Sequence, residues 1–164
     1  HDDMSPAMRA EFRAEGVRIA EFPTTAETTF AARDAGDHLI FGAPNVGRGG
    51  SHLNCPGAAD MVGKGACSIL ASDYYYPALH LAPFRLARDG VCGLGEAWRL
   101  VSAGPAAALG LDDRGVLAPG RRADIVLIDD RAEEPEIVGV LVEGRVAFLK
   151  DLPAHPAIGA LAAE

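Results

Sequence analysis

Phe41-Gly42-Ala43-Pro44-Asn45-Val46-Gly47-Arg48-Gly49-Gly50-Ser51-His52 passes from apolar to Gly-rich to polar within a dozen residues. It reads as a buried strand emptying into a loop that carries Asn, Arg, Ser and His. Such a loop offers backbone N–H groups, a guanidinium and an imidazole to one ligand, most naturally an anion. Ala66-Cys67-Ser68-Ile69-Leu70-Ala71-Ser72-Asp73 repeats the pattern, an apolar run ending in a lone carboxylate. Two strands that each end in functional side chains point to a parallel barrel with its site at the strand C-termini.

Working outward, the same strand–helix alternation recurs. Ser5 before Pro6 is an N-cap followed by proline at the first helical position, and Gly16 is a stop, so a helix is expected over 6–15. A strand follows over 17–22. Thr25 caps a second helix that ends at Gly36, before the strand at 39–42. A third helix is expected after Pro56, a strand over 66–72, and helices over 78–88 and 94–101. Strand ends near His1, Phe22, Ala43 and Asp73 are separated by roughly 20–30 residues, the repeat of a (β/α)8 barrel of about 250 residues.

Four such ends make half a barrel, and a half would leave open sheet edges. The expected fold class is therefore α/β: the C-terminal half of a TIM-like barrel over 1–111. Strands of a composite β-sandwich follow over 112–151, and a tail over 152–164. The sandwich reading rests on Ala123-Asp124-Ile125-Val126-Leu127-Ile128-Asp129 and on a hairpin that turns at Glu143-Gly144-Arg145. The N-terminal barrel segment is expected on sequence upstream of His1.

Composition narrows the partners. The 164 residues are 49% hydrophobic, enough for a core, and carry a net charge of −8. That balance argues against a nucleic-acid or membrane-surface partner, so phosphate recognition must come from a few placed groups. Cys55, Cys67 and Cys92 show no CxxC spacing and fit a reducing cytoplasm.

His1-Asp2-Asp3, Ala20-Glu21-Phe22-Pro23-Thr24-Thr25, Gly42-Ala43-Pro44-Asn45-Val46 with Arg48-Gly49-Gly50-Ser51-His52, and Ser72-Asp73-Tyr74 together resemble the phosphonate-metabolism branch of the amidohydrolase superfamily. Gly115 to Asp129 looks like that superfamily's return from barrel to sandwich. The resemblance covers about residues 1–150 and implies a metal-dependent hydrolase. Its reaction would be release of diphosphate from a ribose 1-phosphonate 5-triphosphate. It implies one or two divalent ions, with zinc expected, held by His1 and by Asp73, which would also be the catalytic proton acceptor. Asn45, Arg48, Gly49, Gly50, Ser51, His52, Thr24 and Thr25 would bind the phosphorylated substrate, with Asp2, Asp3 and Glu21 in support. A homo-oligomer is expected. The sixth-strand end of this superfamily often carries a metal-binding His; here it reads Glu21 to Thr25, with none. Two rivals stay open: C–N hydrolysis of a cyclic amide or amine, and a fragment without catalysis of its own.

Each residue also has a plainer reading. Asp73 would serve as an N-cap for the next helix, Arg48 and His52 as a solvated loop, and Tyr74, Tyr75 and Tyr76 as packing at the barrel mouth. Thr24 and Thr25 are expected to divide capping and pocket duties. His38, His80 and His155 read as structural, Trp98 as core, and the cysteines as small buried hydrophobes.

Overall fold

The computed structural model describes residues 1–47 and 56–150. They belong to two compact units, 1–116 and 117–164. The first holds a parallel sheet of β1 (Ile19–Glu21), β2 (His38–Gly42) and β3 (Ile69–Ala71), in that order. Helices alternate with the strands: α1 (Pro6–Ala14), α2 (Ala26–Asp34), the short α3 (Pro44–Gly47), α4 (Ala58–Gly63), α5 (Ala78–Arg88), α6 (Leu94–Arg99) and α7 (Ala103–Ala108). Local chemistry sets their starts. Ser5 Oγ accepts from Met8 N at 3.2 Å with Pro6 at the first helical position, and Thr25 Oγ1 accepts from Thr28 N at 3.1 Å.

β2 lies between its neighbours, with Leu39, Phe41 and Gly42 buried. Leu39, Met61 and Leu86 are the largest buried aliphatic side chains, and each contributes about 1.5–3 kcal/mol by leaving water. Ser68 ties β2 to the start of β3: its Oγ accepts from Leu39 N at 2.8 Å, and its N–H donates to Leu39 O at 3.0 Å. On the other side of β3, Leu70 N donates to Leu100 O at 2.9 Å. A Cβ added to Gly104 would run into the Ser68 carbonyl oxygen, so that helix start approaches β3 as only glycine allows.

Three parallel strands are present where four strand ends were counted. Residues 1–3 run beside β1 without forming a strand, through Asp2 N to Glu21 O at 2.9 Å and Thr24 N to Asp3 O at 3.0 Å. A buried ion network fixes that segment. The Arg9 side chain is 4% exposed; its Nη1 donates to Asp3 Oδ2 at 2.9 Å and to Ile19 O at 3.2 Å. Nη2 reaches Val17 O, and Nε lies 3.3 Å from Asp37 Oδ2, whose carboxylate also pairs with Arg13. One guanidinium thus joins α1, both ends of the path into β1, and the residue before β2.

The second unit is a separate antiparallel sheet of β4 (Ile125–Asp129), β5 (Glu136–Val142) and β6 (Arg145–Leu149). Glu143 and Gly144 both have positive φ, 53° and 77°, the signature of a type I′ hairpin turn. Asp124 Oδ1 accepts from Glu143 N at 2.9 Å, and Ala123 O from Gly144 N at 2.9 Å, so the lead-in to β4 clamps the turn. Among the described residues, no helix is long and apolar enough to cross a membrane.

Candidate functional site at the strand ends

A repeated backbone feature marks the C-terminal side of the parallel sheet. Asp2, Phe22 and Asp73 have φ of 61°, 52° and 51°, the left-handed region that side chains other than glycine's avoid. Phe22 and Asp73 each follow a strand, and Asp2 lies in the segment beside β1. Residues held this way cost about 1–3 kcal/mol and persist where surrounding contacts over-determine them. The chain keeps them at the edge where parallel α/β sheets carry their functional groups.

His1 is largely exposed, with Nδ1 2.7 Å from Asp2 Oδ2. Its ring meets Phe22 edge to face, centroids 5.8 Å apart. Phe22 is held by its N–H to Ile40 O at 3.1 Å. Gly42 closes the group from behind: a Cβ there would sit 3.4 Å from Phe22 Cε1 and 3.2 Å from Asn45 Nδ2. His1 and Phe22 are thus in contact, and Gly42 lies close to both Phe22 and Asn45. Asn45 lies on α3, so the stretch read as continuous loop contains a helical turn first. Pro44 opens it with a preset φ.

Asp73 stands exposed after β3, and its carboxylate makes no hydrogen bond or ion pair within the described residues. The helix-capping reading does not hold, because Pro77, not Asp73, occupies the N-cap position of α5. Tyr74, Tyr75 and Tyr76 are 62%, 48% and 78% exposed, where packing at a barrel mouth was expected. The left-handed turn at Asp73 carries them outward before α5 begins. Thr25 caps α2, while Thr24 spends its hydroxyl on Asp3 O at 3.3 Å. Asp3 is buried in the Arg9 network, and Glu21 is half-buried with its carbonyl held by Asp2. Arg48, Gly49, Gly50, Ser51 and His52 lie outside the described residues.

The donor chemistry suits a divalent ion: an imidazole oriented by a carboxylate, and a second carboxylate with open lone pairs. Among the described residues, no three His, Cys, Asp or Glu come together as a complete ligand set. Cys67 is no alternative nucleophile. Burial pushes its thiol from 9.0 up to about 12, which suppresses the thiolate. The sequence reading missed Phe22 because an aromatic at a strand end looks like core. Its one available signal was the bulky residue directly before Pro23, where the chain turns.

The amidohydrolase family model matches residues 11–148. The chain is 43% identical over 150 residues to the α-D-ribose 1-methylphosphonate 5-triphosphate diphosphatase of Escherichia coli (strain K12), covering 90% of this chain and 40% of that protein. It is 53% identical over 51 residues to the adenine deaminase of Methylobacterium sp. (strain 4-46), covering 31% of this chain and 9% of that one. The L-hydantoinase (dihydropyrimidinase) of Arthrobacter aurescens superposes with TM-score 0.62 at 14% identity, over 92% of this chain and 49% of that one, a likeness of fold alone. The chain thus spans less than half the length of each of these relatives.

Proposed function

The chain belongs to the amidohydrolase family, and from that membership we propose that it is the C-terminal part of a (β/α)8 metal-dependent hydrolase with strands of its β-sandwich. The proposed reaction is hydrolysis of a phosphoanhydride in a ribose 1-phosphonate 5-triphosphate, releasing diphosphate in phosphonate catabolism. The observation that carries this reading is the 43% identity to the diphosphatase over 90% of the chain. The strand-end placement of His1, Asn45 and Asp73 is consistent with it.

In this reading His1 and Asp73 hold a divalent ion, zinc by the chemistry of the pair. The ion supplies positive charge that polarises a phosphoryl oxygen and makes water more acidic. Asp73, whose carboxylate makes no hydrogen bond or ion pair within the described residues, accepts the proton of the attacking water. Asp2 fixes the His1 ring. Arg48, Ser51, His52 and the amides of Gly49 and Gly50 balance charge on the phosphates. Water oxygen bonds to phosphorus, the bridging P–O bond breaks, and diphosphate leaves with the electron pair. A ribose 5-phosphate ester remains. The other strands and ligands of the barrel come from an N-terminal segment, a reading supported by the 40% coverage of the diphosphatase. Assembly as a homo-oligomer in the cytoplasm is part of the same proposal.

A second reading, C–N hydrolysis of an amine or cyclic amide, is favoured by the short 53% match to adenine deaminase. Phosphorus NMR on the full-length polypeptide with the triphosphate, beside ammonia release from adenine, separates the two. Diphosphate without ammonia supports the first; ammonia without diphosphate replaces it with the second. Silence on both substrates overturns both.

A further inference from the structure

We infer that Phe22 is a positioning residue that sets the direction of the His1 imidazole, with Gly42 as the space that lets it do so. The inference rests on the proposal that His1 is a ligand, and three observations carry it. First, Phe22 holds φ 52°, a strained state for an aromatic residue. Its N–H is committed to Ile40 O, and its neighbour Glu21 accepts from Asp2 N, so the strain is maintained by contacts to β2 and to the His1 segment. Second, the ring approaches His1 edge to face at 61° between planes, the arrangement aromatic quadrupoles prefer. Third, Gly42 lies close to the ring: a Cβ there would sit 3.4 Å from Phe22 Cε1 and 3.2 Å from Asn45 Nδ2, so a longer side chain would crowd the phenyl.

An exposed imidazole has two free torsions, and a hydrogen bond at one nitrogen leaves the ring able to swing about it. Asp2 at Nδ1 selects which nitrogen stays open, and Phe22 limits where it points. Together they leave Nε2 presented in one direction with the proton on Nδ1. Groups that support a metal-binding histidine in this way typically change ion affinity 10–100-fold when removed.

The test uses NMR of the His1 imidazole in the whole chain, without metal. Native protein should show His1 carbon-bound ring protons displaced by the phenyl ring current, with the Nδ1-protonated tautomer. Phe22→Leu should bring those shifts back to free-histidine values, and Phe22→Tyr should retain the displacement. Gly42→Leu leaves both rings in the chain but crowds the phenyl from β2, and should shift the His1 ring protons towards the Phe22→Leu values. Shifts that are the same in native protein and in folded Phe22→Leu overturn the inference; if that variant unfolds, Gly42→Leu decides in its place. Zinc titration against a chromophoric chelator tests the underlying reading separately. Where native protein binds zinc, Phe22→Leu should weaken it at least about tenfold, and an unchanged affinity overturns the positioning role. A full-length polypeptide, with the N-terminal segment present, that shows the displaced shifts but binds no zinc removes His1 from the ligand set and leaves the orienting contact standing on the shifts.

Discussion

Replacing Arg9 with methionine should be among the most destabilising single changes available in the first unit. The guanidinium is 4% exposed and serves two carboxylates whose side chains are 1% and 0% exposed. Asp37 retains Arg13, but Asp3 has no second cation in the network. Its Oδ1 already lacks a hydrogen bond within the described residues, so the variant leaves a buried charge with no cation beside it. Removing one partner of a buried pair costs about 3–5 kcal/mol, a factor of about 150 to 5,000 in the unfolding constant. The carbonyls of Val17 and Ile19 would lose their donor as well. Trp98, the one tryptophan, sits on α6 in this unit and reports its unfolding in urea by fluorescence. With a slope of about 2 kcal/mol/M, the midpoint should fall by about 1.5–2.5 M at unchanged slope. Adding Asp3→Asn should recover about 1–3 kcal/mol, since the buried charge goes with its partner. A loss under about 1 kcal/mol in the single variant, or no recovery in the double, would refute the argument that this network is tightly desolvated.

Asp73→Asn should abolish turnover while urea stability stays within about 0.5 kcal/mol, because it removes a proton acceptor whose carboxylate makes no hydrogen bond or ion pair within the described residues; near-normal turnover would take Asp73 out of the chemistry. Gly104→Ala should cost about 1–3 kcal/mol, read from the same fluorescence transition, because its Cβ meets the backbone oxygen of Ser68. Unchanged stability would show that the α7 start shifts freely. Burial raises the Cys67 thiol from 9.0 to about 12, so the unfolded chain loses this proton first as pH rises. The stability that Cys67 lends is complete below pH 9 and declines towards pH 12, by at most about 1.4 kcal/mol per unit. Subtracting the curve of Cys67→Ala isolates it, and parallel curves would count against an enclosed thiol.

Elements with local signals were legible in the sequence. Helices α1, α2 and α5 follow from Ser5, Thr25 and the apolar spacing of 78–88, and the antiparallel strands from their β-branched runs and Glu143-Gly144. Strand ends in the parallel sheet were found to within a few residues, but α3 was hidden inside a Gly-rich stretch and α7 inside alanines. Asp73 and Asn45 were visible because each follows an apolar run, and His1 through the family resemblance of His1-Asp2-Asp3. The Arg9 network was not, since Asp3 and Asp37 lie 6 and 28 positions away and nothing local marks them as partners. Phe22 escaped for a similar reason: a backbone torsion has no residue code unless glycine announces it.

The left-handed residues at Asp2, Phe22 and Asp73 have a bearing on how this chain tolerates change. At each of them glycine would relax the backbone, yet the chain carries a side chain instead. A search for heat-resistant variants would therefore be drawn to these three positions, where glycine gains about 1 kcal/mol or more by relieving torsion. The same search would erase two carboxylates and the phenyl beside His1. Selection for stability alone and selection for a working strand-end rim thus pull in opposite directions at the same residues.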